Sequence, residues 1–186
     1  TASWTFDHDV DPTRGDEIAD FIALAEGVLG ILERQGLLRP RRLDLAHWTL
    51  EGGARPPHDI QKAVLEYSGT RDLVEIVMEA SRSREGAIPQ TLEVFGTTLV
   101  FDAQGEEHHL PRPALYLHVS PGYIEVGTWT DVWMPFTIDG KPHTEVWKRN
   151  APRLENALKE IELLMGVPGD DGDDPAPYAY VEGYRI

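Results

Sequence analysis

The stretch from Thr91 to Trp147 most constrains the fold, because it reads as a run of short strands separated by strong turn signals. Thr91 to Phe101 is rich in β-branched and aromatic residues and breaks at Gln104-Gly105. From Ala114 to Val119 the pattern alternates, with Leu115, Leu117 and Val119 on one face and Tyr116 and His118 on the other. Pro121-Gly122 suits the central positions of a type II turn. Tyr123 to Trp129 resumes the alternation, and Thr130 to Phe136 continues it or bends at Asp131. Asp139-Gly140 marks another tight reversal before a last strand, Thr144 to Trp147. These signals predict an α+β fold, an antiparallel β-meander sheet with about three helices packed on one face.

The rest of the chain supplies the helices and further strands. Ser3 to Val10 reads as a short strand with Trp4 and Phe6 on one face. Asp11-Pro12-Thr13, with Asp16 three residues on, marks a helix start. From Asp16 to Gln35 apolar residues recur at Ile18, Phe21, Ile22, Ala25, Val28, Leu29 and Leu32, an amphipathic helix that Gly36 ends. Ala19, Ala23, Gly27 and Gly30 line it with small side chains, expected to pack closely in the core. Arg41 to Leu50 reads as a strand, and Pro56-Pro57 as the opening of a helix through Ile60, Val64 and Tyr67. Leu73 to Arg82 fits both periods, and its β-branched content favours a strand. Asn150 is expected to cap a final helix carrying Leu154, Ala157, Leu158, Ile161 and Leu164.

A single α+β domain over residues 1–168 is expected, followed over 169–186 by an acidic loop and an aromatic C-terminal tail. The segment from Gly169 to Ala176 has nothing apolar to bury and is expected to be mobile. The tail from Tyr178 to Tyr184 has strand character suited to a sheet edge.

Charge narrows the function classes. Thirty-two acidic residues against seventeen basic ones give a formal charge of −15. Such a chain repels nucleic acid and anionic membranes and attracts a basic protein partner. There are no cysteines, which excludes disulfides, thiolate metal sites and cysteine nucleophiles. A cytoplasmic location is expected on the same ground. The most apolar run, Phe21 to Leu32, is too short to span a bilayer and contains Glu26.

Motifs for chemistry are missing. Asp7-His8-Asp9-Val10-Asp11 alternates carboxylates, but counting from Asp7 the sixth and twelfth positions hold Pro12 and Ile18 where an EF-hand needs Gly and Glu. Seven histidines form no metal-binding spacing, and His108-His109 would point to opposite faces of a strand. There is no nucleophile elbow, Walker A loop or dinucleotide fingerprint. No catalytic residue, metal or cofactor is therefore assigned, and the chain reads as more a binder than an enzyme.

The aromatic residues of the meander give the candidate surface. Tyr116 and His118 share one strand parity, and Tyr123, Trp129 and Trp133 share another. With Glu125 and Asp131 among them, the seven form an expected partner-binding patch of rings and acids. The expected function is an acidic protein-interaction module, an inhibitor or immunity protein that neutralises a basic, bacterial toxin. The alternative is a small α+β enzyme or ligand-binding domain with a pocket against the sheet, using His118, Glu125 and Asp131 as acid/base groups. A deep pocket enclosing perturbed acids would favour the alternative, a flat acidic face the first reading.

Overall fold

The computed structural model describes residues 2–8, 15–49, 61–67, 72–82, 87–110, 114–170, 180–181 and 184–185. In chain order these form β1 (Ala2–Asp7), α1 (Gly15–Arg34), β2 (Arg39–Thr49), β3 (Gln61–Glu66), α2 (Leu73–Arg82), β4 (Ala87–Phe101), β5 (Glu107–Leu110), β6 (Leu115–Ser120), β7 (Tyr123–Thr128), α3 (Thr144–Met165), β8 (Tyr180–Val181) and β9 (Tyr184–Arg185). The fold is α+β, with three helices and a seven-stranded antiparallel sheet among the described residues.

Strands lie in the order β1-β7-β6-β4-β2-β3, with β5 paired to the end of β4. Alternation decides which face is covered. Leu43 and Leu45 of β2, Leu92 and Val94 of β4, Leu115 and Leu117 of β6, Ile124 and Val126 of β7, and Trp4 and Phe6 of β1 are all buried on one side. Phe21, Ala25, Val28 and Leu32 of α1, Leu73 and Val77 of α2, and Leu154, Leu158 and Ile161 of α3 complete the same core. Each large side chain so buried contributes roughly 1.5–3 kcal/mol, so this layer sets the register of every strand.

Turn chemistry closes the meander as its residues dictate. Gly122 after Pro121 has φ 99°, the positive value a type II turn needs at that position. Asp102 Oδ1 accepts from the backbone N–H groups of Gln104 and Glu106, bracing the turn between β4 and β5. Gly166, at φ 71°, ends α3 and donates its N–H to Glu162 O.

Several expectations give way to the packing. Leu73–Arg82 is a helix, because Leu73, Ile76 and Val77 make one buried stripe at helical spacing. Asp72 Oδ1 accepts from Glu75 N, a local cap that a strand lacks. The helix expected through Val64 is instead β3, paired with β2, and Val64 is 64% exposed. Residues 56–60 of that expected helix lie outside the described residues.

Thr144 to Trp147 is the first turn of α3 and not a strand. Asn150 consequently sits inside the helix, fully buried, and caps the sheet instead: it exchanges two hydrogen bonds with the backbone of Phe101. Ala23 of the small-residue stripe is exposed, and Gly27 faces Leu164 of α3 instead of the sheet. The C-terminal strands β8 and β9 pair with each other. The edge of β1 is met by Asp170, which trades both backbone hydrogen bonds with Thr5. Thr13, and the expected mobile segment from 171 onward, lie outside the described residues.

Candidate functional site: the open face of the sheet

The opposite face of the sheet carries the polar and aromatic members of each alternation, and no described element packs over it. Cross-strand register arranges them in rows perpendicular to the strands. One row reads Val64, Asp44, Glu93, His118, Glu125, Thr5 across β3, β2, β4, β6, β7 and β1. The neighbouring row reads Glu66, Arg42, Phe95, Tyr116, Gly127, Ser3 across the same strands. An acidic row therefore runs beside an aromatic one.

The aromatic row is a continuous stack. Arg42 places its guanidinium 4.9 Å from the centroid of Phe95. Trp129, two residues beyond Gly127, stacks on Tyr116 at 4.6 Å and on Phe95 at 6.2 Å between ring centroids. Trp129 remains 47% exposed, so much of its ring faces solvent. Tyr116 lies flat because its cross-strand neighbour is glycine. A Cβ at Gly127 would fall 2.1 Å from Tyr116 Cζ.

Hydrogen bonds tie the two rows together. The Tyr116 hydroxyl donates to Glu125 Oε1 at 2.8 Å. Burial, and then that carboxylate, push the Tyr116 hydroxyl well above the usual phenol range, so it stays a donor. Arg42 forks through Nε and Nη2 onto both oxygens of Asp44, at 2.7 and 2.6 Å. His118 stacks on Tyr123, lies 3.2 Å from its hydroxyl through Nε2, and approaches Glu93 Oε1 at 3.5 Å through Nδ1. Among the described residues Glu125 has no cationic partner.

Of the seven residues singled out from sequence, Tyr116, His118, Tyr123, Glu125 and Trp129 come together on this face. Trp133 does not. It is fully buried, its indole N–H donating to Thr128 Oγ1 at 2.8 Å, because the chain leaves the strand after Thr128 and turns the ring under the sheet. Asp131 is spent on the same bend: its Oδ2 accepts from Ile138 N at 3.0 Å, fixing the loop from Asp131 to Ile138. Arg42, Asp44, Glu93 and Phe95 also belong to the face. The alternation of β4 carried the signal for two of them, since Leu92 and Val94 point inward and leave Glu93 and Phe95 outward.

Other places offer less chemistry. A cavity of about 20 Å³ between α1 and the sheet is lined by Ile18, Phe21, Leu45, Val77 and Leu92, and holds no titratable side chain. Asp102, Glu106 and His108 bring metal-ligand atoms within 4.8 Å of one another at the β4–β5 turn. Asp102 Oδ2 is already bonded to His108 Nε2 at 2.8 Å, and the bond with His108 holds the carboxyl below its usual range. The group serves the turn. No helix among the described residues is long and apolar enough to cross a membrane.

No family model, curated protein or solved structure matches this chain.

Proposed function

We propose that the chain is an acidic protein-interaction module that docks a basic protein on the open face of its sheet. One observation carries the reading: a stack of Trp129, Tyr116 and Phe95, with the Trp129 ring half-exposed, runs beside a row holding Asp44, Glu93 and Glu125. Rings of this kind bury much area at small entropic cost, and flanking carboxylates select a cationic partner. The net charge of −15 adds long-range steering toward the same partner. Neutralisation of a basic toxin, by covering its active site, is the particular form this activity takes in our reading.

The pocket-enzyme alternative has less to support it. Among the described residues, the cavity between α1 and the sheet, about 20 Å³, is too small for a substrate, and no acid or base lines it. His118 and Glu125, both partly buried, are already committed to Tyr123, Glu93 and Tyr116 through ring and side-chain contacts.

The test uses the whole chain as bait in extracts of its native cell, beside Trp129→Ala and Glu93→Gln/Glu125→Gln variants. Basic proteins retained by the parent and lost by both variants support the reading. A retained set that ignores these substitutions moves the interaction elsewhere and sinks it.

A further inference from the structure

Arg42 shows how this surface holds a guanidinium. It stacks on Phe95 and forks onto Asp44, so one aromatic ring and one carboxylate on adjacent rows form a clamp. The same pairing recurs toward β7, where no lysine or arginine among the described residues pairs with the carboxylates. Trp129 presents a half-exposed ring, and Glu125, reached by the hydroxyl of the tyrosine on which Trp129 stacks, has that neutral donor and no cationic partner among the described residues. Glu93, its side chain 39% exposed, approaches His118 and adds to the negative field on Arg42, but among the described residues it makes no ion pair with a lysine or arginine. Glu93 and Glu125 flank His118 on either side, so their strands lie about 9.5 Å apart.

We infer that this face takes an arginine-bearing segment of the basic partner, laid across the strands with guanidinium groups stacked on Trp129 and paired with Glu93 and Glu125. The inference rests on the interaction-module reading and adds the partner's chemistry. Arginine fits better than lysine for two reasons. A planar guanidinium stacks on a ring face while keeping its in-plane donors for a carboxylate, and it sheds water more readily than an ammonium. Both rows run across the strands, so a segment in that direction rests one flank on rings and the other on acids.

The experiment titrates the intact protein with hexa-arginine and with hexa-lysine at 0.15 M salt. Calorimetry gives the affinities, and the indole N–H resonance of Trp129, assigned by Trp129→Leu, reports the site. Hexa-arginine should bind about tenfold more tightly than hexa-lysine and shift that resonance. Trp129→Leu and, separately, Glu125→Gln should each bring the two affinities within about twofold while the fold, checked by melting, is kept. Equal affinities in the parent protein would overturn the arginine inference and leave a merely basic partner standing. An arginine preference that survives both substitutions would likewise overturn it by placing the site elsewhere. Failure of both peptides to bind would remove the acidic-face reading as well.

Discussion

The ring of Tyr116 lies directly on the backbone of Gly127, closer than any side chain on that residue would permit. The glycine thereby lets one tyrosine serve three neighbours: it stacks on Trp129, donates to Glu125 and covers its own cross-strand partner. Gly127→Ala must lift the ring, since the displaced contact is 2.1 Å. We expect a destabilisation of about 1–3 kcal/mol from overpacking and weaker partner binding from the broken stack. Thermal melting and the fluorescence of Trp129, compared with the parent, check both.

Asn150 holds α3 to the end of β4. Its Oδ1 accepts from Phe101 N at 2.9 Å, and its Nδ2 donates to Phe101 O at 2.7 Å. Asn150→Leu keeps the volume and leaves both backbone groups without their partner. Each orphaned group costs roughly 1–3 kcal/mol, so a loss of about 2–6 kcal/mol in urea unfolding is expected. A loss below about 0.5 kcal/mol would mean that water replaces the amide at this junction.

Trp129 and Trp133 are four residues apart and should answer oppositely to truncation. Trp133 is fully buried and donates to Thr128 Oγ1, whose hydroxyl donates to Ala114 O. Trp133→Ala should cost about 3–5 kcal/mol of stability. Trp129→Ala should cost less than about 1 kcal/mol of stability while removing at least about 2 kcal/mol of partner binding. Unfolding by the Trp129 variant would make that ring part of the core and remove it from the binding face.

Local pattern reveals much of this architecture. Leu115, Leu117 and Val119 announce the inner face of β6, and Pro121-Gly122 announces the turn that follows. Its limits are equally local. Leu73–Arg82 satisfies both periods, and contact with α1 settles the matter: Glu26 Oε1 of α1 accepts from Leu73 N. Asn150 looks like a cap because Pro152 follows it, yet Pro152 stands within α3, whose N-cap is His143, and the helix begins nearly two turns earlier. For the site, parity groups Tyr116 with His118 and Tyr123 with Trp129. Parity fails at Trp133, where the chain has already left the strand. Arg42 and Asp44 come from β2, about fifty residues before Glu93 and Phe95. Only the pairing of β2 with β4 places them in the same rows, and no local pattern encodes that pairing.

Alkaline pH should destabilise the protein through Tyr116. Burial, then Glu125, raise its hydroxyl above the ordinary phenol value of 10.0. In the unfolded chain that hydroxyl ionises near its ordinary value, whereas the native one keeps its proton. The native state therefore binds more protons above about pH 10, and stability falls as pH rises there. Below that value the contribution is fully present. Tyr67, raised chiefly by burial, acts in the same direction. Urea midpoints at pH 8 and pH 10.5 should differ less for Tyr116→Phe than for the parent. Identical pH dependence in the two proteins would mean that Tyr116 titrates normally.

Salt separates steering from contact. With a formal charge of −15, encounter with a cationic partner should be accelerated by attraction acting beyond contact range. The Debye length falls from about 30 Å at 0.01 M salt to about 10 Å at 0.1 M, which removes most of that reach. The association rate should drop by about tenfold or more across this range. If Tyr116, Tyr123 and Trp129 anchor the partner as proposed, dissociation should follow close contacts and its rate should change by less than about threefold. Substitutions should divide along the same line. Glu66→Gln, at the exposed end of the aromatic row on β3, should lower the association rate and leave dissociation unchanged. Trp129→Ala should do the reverse. Stopped-flow measurement with a captured basic partner reads both rates directly. An association rate indifferent to salt would remove the charge argument, and a dissociation rate indifferent to Trp129 would remove the aromatic anchor.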